Sequence, residues 1–170
     1  MAGTNSQWTL SGALDVGAGG TALLTITDGG SVTAASVHLY PSGTLTGNST
    51  VTTTGGTTVE GTLEPSSGRL TIGGSLSFSG TSSLMQCNVV PGGADNVSVA
   101  GTASLTGKLK VTMTGSFTPG TTYTLLHSQG PLSNQFSSYS INYPTNQCFT
   151  PVITYDYVAN NVNLYLQPCN

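Results

Sequence analysis

The sequence predicts an all-β fold, a right-handed parallel β-helix closed at its C-terminal end by a β-sandwich-like or hairpin cap. A short phrase of the form Gly-x-Leu-x recurs at intervals of about 20 residues, and such repeats are typical of solenoids. No stretch places apolar residues at helical spacing between capping residues, so no helix is predicted. Only three Lys or Arg and six Asp or Glu residues occur among 170 residues, and Thr, Ser, Asn and Gly supply the polarity.

The recurring phrase indicates where the coils of this β-solenoid lie. Its copies begin at Gly12, Gly43, Gly61, Gly74 and Gly101. We expect the leucine of each copy to stack inward, and its Thr and Ser neighbours to form outward ladders that hydrogen-bond from coil to coil. These leucines are Leu14, Leu45, Leu63, Leu76 and Leu105.

Short strands with alternating apolar residues fill the first half of the chain. Pairs of glycines separate them, as turns with a positive φ angle require. The spacing alone also fits a sandwich or a barrel, but the shortness of the strands and the recurring phrase favour the solenoid. The predicted strands cover residues 8–10, 22–27, 31–33, 36–40, 50–54, 57–63, 69–72, 75–78 and 83–90.

The second half of the chain differs in composition, because Pro, Tyr, Phe and both Lys residues concentrate there. Longer alternating strands are predicted at 108–114 and 121–127, and a closing hairpin at 152–157 and 161–166. The last coil of a solenoid exposes an apolar face and unpaired edges that must be covered. We therefore predict one domain over residues 1–170, with repetitive coils over 1–104 and a C-terminal cap over 105–170.

A series of phrases between residues 39 and 166 has a family counterpart. The phrases are Gly-Thr-Leu-Glu-Pro at 61–65, Leu-Thr-Ile-Gly-Gly at 70–74, Asp-Asn-Val through Ala-Ser-Leu at 95–105, Phe-Thr-Pro-Gly-Thr-Thr-Tyr-Thr-Leu-Leu at 117–126, Phe-Ser-Ser at 136–138, Tyr-Asp at 155–156 and Asn-Asn-Val-Asn-Leu at 160–164. In this order they resemble the C-terminal, autochaperone-type region of autotransporter passengers. The resemblance implies a β-helix stem at the cell surface, with a cap that supports folding of the coils.

Charge and hydropathy narrow the range of partners. The formal net charge is −3, and only Arg69, Lys108 and Lys110 are available to contact phosphates, so nucleic acid is not an expected partner. No apolar run approaches the roughly 18 residues that span a bilayer, so direct membrane insertion is not expected. Residues 1–6 lack the features of a signal peptide. We expect an exported protein, extracellular or at the cell surface, whose export route is not visible in the chain.

The sequence predicts no catalytic residue, cofactor or metal site. The carboxylates are scattered, and no Gly-x-Ser-x-Gly elbow, phosphate loop or metal-ligand spacing occurs. Surface solvation is the expected role of the acids, which are Asp15, Asp28, Glu60, Glu64, Asp95 and Asp156.

The three cysteines leave at least one thiol unpaired. Cys148 precedes and Cys169 follows the predicted closing hairpin, so a disulfide between them is one possibility, and two free thiols are the other. A loop of this size adds about 3 kcal/mol in the chain-entropy model. Cys87 is expected to be an isolated thiol packed in or against the sheet.

Five tyrosines crowd the end of the chain, where they either pack beneath the cap or form a patch for a protein partner or a glycan. They are Tyr139, Tyr143, Tyr155, Tyr157 and Tyr165.

The leading hypothesis for function is a non-enzymatic structural or adhesion module. It would be a rigid stem or a self-assembling surface subunit, and its partners would be other proteins or copies of itself. A glycan-binding or polysaccharide-active domain is the alternative. An ice-binding protein, indicated by Thr-x-Thr phrases, is a further one.

Overall fold

The structure is a computed structural model that describes residues 1–169, and it confirms the all-β prediction. Its secondary structure in these residues consists of 21 strands without a helix. Consequently the described residues contain no helix long and apolar enough to cross a membrane.

Most strands follow one another in triplets, and each member of a triplet joins a different sheet. The first sheet contains β1 (Gln7–Thr9), β4 (Ser31–Ala34), β7 (Thr50–Thr53), β10 (Arg69–Ile72), β14 (Asn96–Val99), β17 (Thr122–Ser128), β21 (Asn161–Pro168) and β20 (Phe149–Asp156). The second contains β2 (Ala13–Val16), β5 (Ser36–Leu39), β8 (Thr57–Val59), β11 (Leu76–Phe78), β15 (Ala103–Leu105) and β18 (Leu132–Asn134). The third contains β3 (Ala22–Ile26), β6 (Gly43–Gly47), β9 (Thr62–Pro65), β12 (Leu84–Val90), β16 (Lys108–Met113) and β19 (Ser138–Asn142), while β13 (Gly93–Ala94) pairs with β12.

Successive coils stack in parallel, which makes the chain a β-solenoid. Outward side chains hydrogen-bond between neighbouring coils, as the sequence predicts. Thr46 donates to Ser66, 20 residues later, and the distance between their oxygens is 3.3 Å. Thr102 donates to Ser75 across 27 residues, and Asn134 donates to Ser104 across 30. The later coils are therefore longer than the middle ones, whereas their strands stay in register.

Alternate residues of the strands face a single continuous core. One inward column consists of Val32, Val51, Ile72 and Val99, which pair in register and are fully buried. β-Branched residues suit such positions because their stiff side chains pack well on a pleated surface.

The five leucines of the recurring phrase are all buried, as predicted. They occupy two sheets, however. Leu45 and Leu63 pair in the third sheet, whereas Leu14, Leu76 and Leu105 lie in the second. The phrase therefore marks a corner of the coil, and this corner leads into a strand of the second sheet in some coils and a strand of the third sheet in others.

In this phrase, glycine is needed at positions such as Gly43 and Gly61 for a steric reason. A Cβ built on Gly61 would overlap the carbonyl oxygens of Tyr40 and Gly43, and one built on Gly43 would overlap the carbonyl oxygen of Val16. At this corner, the backbone of one coil lies directly against the backbone of the coil before it. Gly12 belongs to the first coil, and a Cβ at that position would have no other atom within 4 Å.

The coils continue beyond the predicted boundary at residue 104. β14 to β19 form two further triplets that pair in parallel with the coils before them. Two departures from the pattern occur: the two-residue strand β13 pairs antiparallel with β12, and β20 and β21 form an antiparallel hairpin that pairs with β17. The predicted boundary is therefore wrong: the cap is confined to the closing hairpin, and residues 105–142 belong to the coils. Their longer strands and aromatic side chains are typical of a cap, but these features leave the coil topology unchanged.

Replacing Gly61 by Ala tests the close approach of the coils. We expect Gly61→Ala to lower the free energy of unfolding by about 1–3 kcal/mol, because the added methyl group must push two backbones apart. Gly12→Ala is the matched control and should change stability by less than about 0.5 kcal/mol. Urea denaturation followed by circular dichroism measures both, and equal stabilities of the two variants would contradict the steric role.

Candidate functional site

The carboxylates are dispersed over the structure. Those that make a hydrogen bond or a close charged contact each do so with a different neighbouring group. Glu64 accepts a hydrogen bond from Gln86 at 2.9 Å, and Asp156 accepts from the backbone N–H groups of a turn. Glu60 lies 3.5 Å from the ring nitrogen Nε2 of His38, a partly exposed pair that contributes little to stability. No three His, Cys, Asp or Glu side chains of residues 1–169 cluster closely enough to hold a metal ion.

The threonines do not form the regular array that an ice-binding face requires. Thr25 pairs with Thr46 in the third sheet, but the next coil places Glu64 opposite Thr46. Another column begins with Leu23, continues with Thr44 and Thr62, and goes on to Leu84 and Lys108. Threonine pairs are thus interrupted by charged and apolar residues.

Cys87 is fully buried in β12, where it pairs with Val111 of the next coil. Burial raises the pKa of the Cys87 thiol far above its usual range, and the negative charges of Asp95 and Glu64 raise it further. Because the thiolate is the reactive form, this side chain is an inert part of the core.

Cys148 and Cys169 lie opposite each other at the open end of the hairpin. The pairing of Phe149 with Pro168 continues through them, and the Cys169 N–H donates to the Cys148 carbonyl at 3.4 Å. A hydrogen bond to Cys148 raises the pKa of the Cys169 thiol. Both are exposed free thiols in this structure, so their disulfide stays a prediction.

Tyr155 and Tyr157 protect the edge of the second sheet. Tyr157 Oη donates to the carbonyl of Asn134 at 3.0 Å, and Tyr155 Oη accepts from the N–H of Phe136 at 3.2 Å. The turn of the hairpin adds Asn160, whose Oδ1 accepts from the N–H of Leu132. These side chains thus occupy backbone groups of β18 and of the residues that follow it, where a further coil would pair.

The five predicted tyrosines do not form one patch. Tyr155 and Tyr157 stack with ring centroids 6.3 Å apart. Partial burial raises the pKa of Tyr155, and Tyr157 and Tyr139 lie near enough to raise it further. Tyr143 instead packs against Phe149, and Tyr165 lies on the outer face of β21, beside inward-facing Leu164 and Leu166.

A shallow polar groove of about 330 Å³ lies on the outer face of the first sheet, where the coils meet the hairpin. Arg69 Nε donates to Asn96 Oδ1 at 3.2 Å, and His127 Nδ1 lies 2.8 Å from Asn161 Oδ1. The groove is lined by Arg69, Asn96, Ser98, Thr124, His127 and Asn161.

A β-bulge shapes this groove. The pairing of β17 with β21 shifts between Thr124 and Leu126, and both Leu125 and Leu126 are consequently buried. Thr124 and His127 remain on the outer face on either side of the bulge. Bulges re-aim side chains in this way and are frequent next to functional sites. Sequence reasoning missed the groove, because its residues come from four strands of different coils and have no constant spacing.

Comparisons with known proteins do not assign the chain to a family. No protein-family model matches it, and no curated protein matches it significantly. The resemblance to autotransporter passengers therefore stays a prediction from the quoted phrases.

Oxidation tests the pairing of Cys148 with Cys169. Oxidised glutathione should convert their two thiols to one disulfide and release two molecules of reduced glutathione. The bridge restrains the unfolded hairpin, so we expect it to raise the free energy of unfolding by up to about 3 kcal/mol. Peptide mapping by mass spectrometry identifies the linkage, and thermal denaturation measures the gain.

The variant Cys87→Ala is the control and should keep both the linkage and the gain. Cys148→Ser should lose both. A native protein that stays fully reduced, or that links Cys87, would contradict the prediction.

Proposed function

We propose that the chain is a non-enzymatic structural or adhesion module that acts as a rigid β-solenoid stem outside the cell or at its surface. The observation that carries the proposal is the continuous core, which runs from Leu14 in the first coil to Leu166 in the closing hairpin. Because each coil buries its apolar side chains against the next, bending the stem would expose core residues to water.

The cap supports the same proposal. An unpaired edge strand can pair with a strand of another chain. A stem with free edges at both ends could therefore assemble end to end into polymers. At the C-terminal end, β21 covers β17, and the side chains of the hairpin cover β18. The resemblance to the autochaperone-type region adds a second role for the hairpin, which is to support folding of the coils.

The third sheet offers a contact for a partner. In the described part of the chain, β19 pairs only with β16, and its tyrosine Tyr139 is 52% exposed. The residues of β19 are uncharged and mostly exposed. Such an edge is suited to β-strand addition by another protein or by a second copy of this chain.

Native-state proteolysis tests the rigidity of the stem. If the coils form one body, thermolysin cleaves only globally unfolded molecules, so the opening free energy from cleavage should equal the free energy of unfolding from urea. Cleavage within residues 13–142 at a much lower opening free energy would indicate flexible coils and contradict the stem.

Two matched leucine variants test the folding role of the hairpin. Leu164 in β21 and Leu45 in β6 are both fully buried, and each change to Ala should cost about 2–5 kcal/mol. If the hairpin forms early, Leu164→Ala should mainly slow refolding, whereas Leu45→Ala should mainly speed unfolding. Stopped-flow fluorescence measures both rates. The opposite pattern would place nucleation in the N-terminal coils and remove the folding role of the cap.

A further inference from the structure

The groove on the first sheet is positively charged in a protein that carries a net charge of −3. Arg69 and His127 line it, and no carboxylate does. In the described residues, the one contact within 4 Å between a basic and an acidic side chain joins His38 to Glu60, so Arg69 has no acidic partner there. An unpaired guanidinium on an acidic protein is a favourable contact for an anionic ligand.

The carboxylates nearest to the groove residues along the chain make hydrogen bonds elsewhere. Asp95 precedes Asn96, but its oxygens accept hydrogen bonds from the N–H of Gly68 and from the Asn88 amide. Asp156 pairs in register with Asn161, but it accepts from the N–H groups of the hairpin turn. Neither one therefore contacts the Arg69 guanidinium directly.

The hydrogen bonds within the groove hold its donors in place. Arg69 uses Nε to bind Asn96, which leaves its two terminal amino groups for a ligand. This planar fork matches the two oxygens of a carboxylate. An amide oxygen only accepts, so Nδ1 is the nitrogen of His127 that donates to Asn161, and Nε2 of the neutral ring is left to accept a hydrogen bond from a sugar hydroxyl.

The surroundings favour a sugar polymer over a small anion. The groove is open, and Ser98, Thr124 and Asn161 offer hydroxyl and amide groups of the kind that bind sugar hydroxyls. A column of outward polar side chains continues from Ser98 along the stem, through Thr71, Thr50 and Ser31. At the other side, Tyr165 presents an aromatic ring on the outer face of β21. Such a track of polar groups with an aromatic neighbour suits an extended chain of rings.

We propose that this groove binds one uronic acid unit of an acidic polysaccharide, whose carboxylate meets Arg69 while neutral rings lie along the polar column. One arginine accounts for one carboxylate, so the geometry points to a polymer in which acidic and neutral sugars alternate. This binding site is independent of the stem function, which requires no ligand.

Calorimetry with a hyaluronan hexasaccharide tests the proposal on the full chain, because this probe alternates uronic acid with neutral sugar. We expect Arg69→Gln to weaken binding about tenfold or more. The same hexasaccharide with its carboxylates reduced to alcohols should lose affinity by a similar factor. Lys110→Gln removes the same charge from the outer face of the third sheet, and it should change the affinity less than twofold.

Several results would overturn the proposal. Equal losses for Arg69→Gln and Lys110→Gln would show general charge attraction, and equal affinity for the reduced hexasaccharide would show that the carboxylate is not recognised. Sodium sulfate that binds as tightly as the hexasaccharide would identify a simple anion site. Backbone NMR provides a direct check on position, because Ser98 and His127 should shift on titration. No shift at millimolar hexasaccharide would also overturn it.

Discussion

The close stacking of one coil's backbone on the next is the constraint on which the rest of the structure depends. Parallel strands lie about 4.8 Å apart, and that spacing leaves no room for a side chain where two corners meet. Gly43 and Gly61 meet this requirement, since any Cβ there would overlap a carbonyl oxygen of the preceding coil. The buried columns and the outward ladders both follow from it, because each needs neighbouring coils in register. Extra residues are therefore accommodated in the turns, and coil-to-coil bonds span 20 residues early in the chain and 30 later.

Each coil exposes edges on which a further coil could stack, so stacking ends only where the strand direction changes. The hairpin achieves this by running antiparallel to β17, which no further parallel coil could do. Its side chains then reach sideways to the next sheet, where Tyr157 and Asn160 bind backbone groups that a coil would otherwise pair. The third sheet receives no such cover in the described residues, because β19 pairs only with β16. At the C-terminal end, the third sheet thus ends in a coil strand with a free edge, whereas the first sheet ends in the hairpin strand β20.

Much of the fold could be predicted from the sequence, because alternation and turn residues act locally. The burial of Leu45 and Leu63 and the closing hairpin follow from patterns a few residues long. The start of the cap was harder to predict. Strand β16, with Lys108 and Lys110, looks unlike the coils that precede it, yet it pairs with β12 and β19 as they do. A change in composition therefore does not imply a change in topology, because topology depends on backbone pairing that composition does not report.

The groove could not be predicted either, because its residues come together only through the pairing of the coils. Since the chain carries few charges, an arginine in this groove without an acidic partner among the described residues is an informative feature. The paired side chains of the groove are 27 residues apart for Arg69 and Asn96, and 34 apart for His127 and Asn161. Unequal coil lengths thus conceal the site in the sequence. In a chain with so few charges, however, several of those described have an evident structural partner, as Glu64 and Asp156 do. Arg69 instead binds one amide through Nε and leaves its two terminal amino groups at the surface, in a groove whose other side is shaped by the bulge of β17. Because the scaffold already holds these donors in position, a ligand would meet them with little further loss of side-chain freedom.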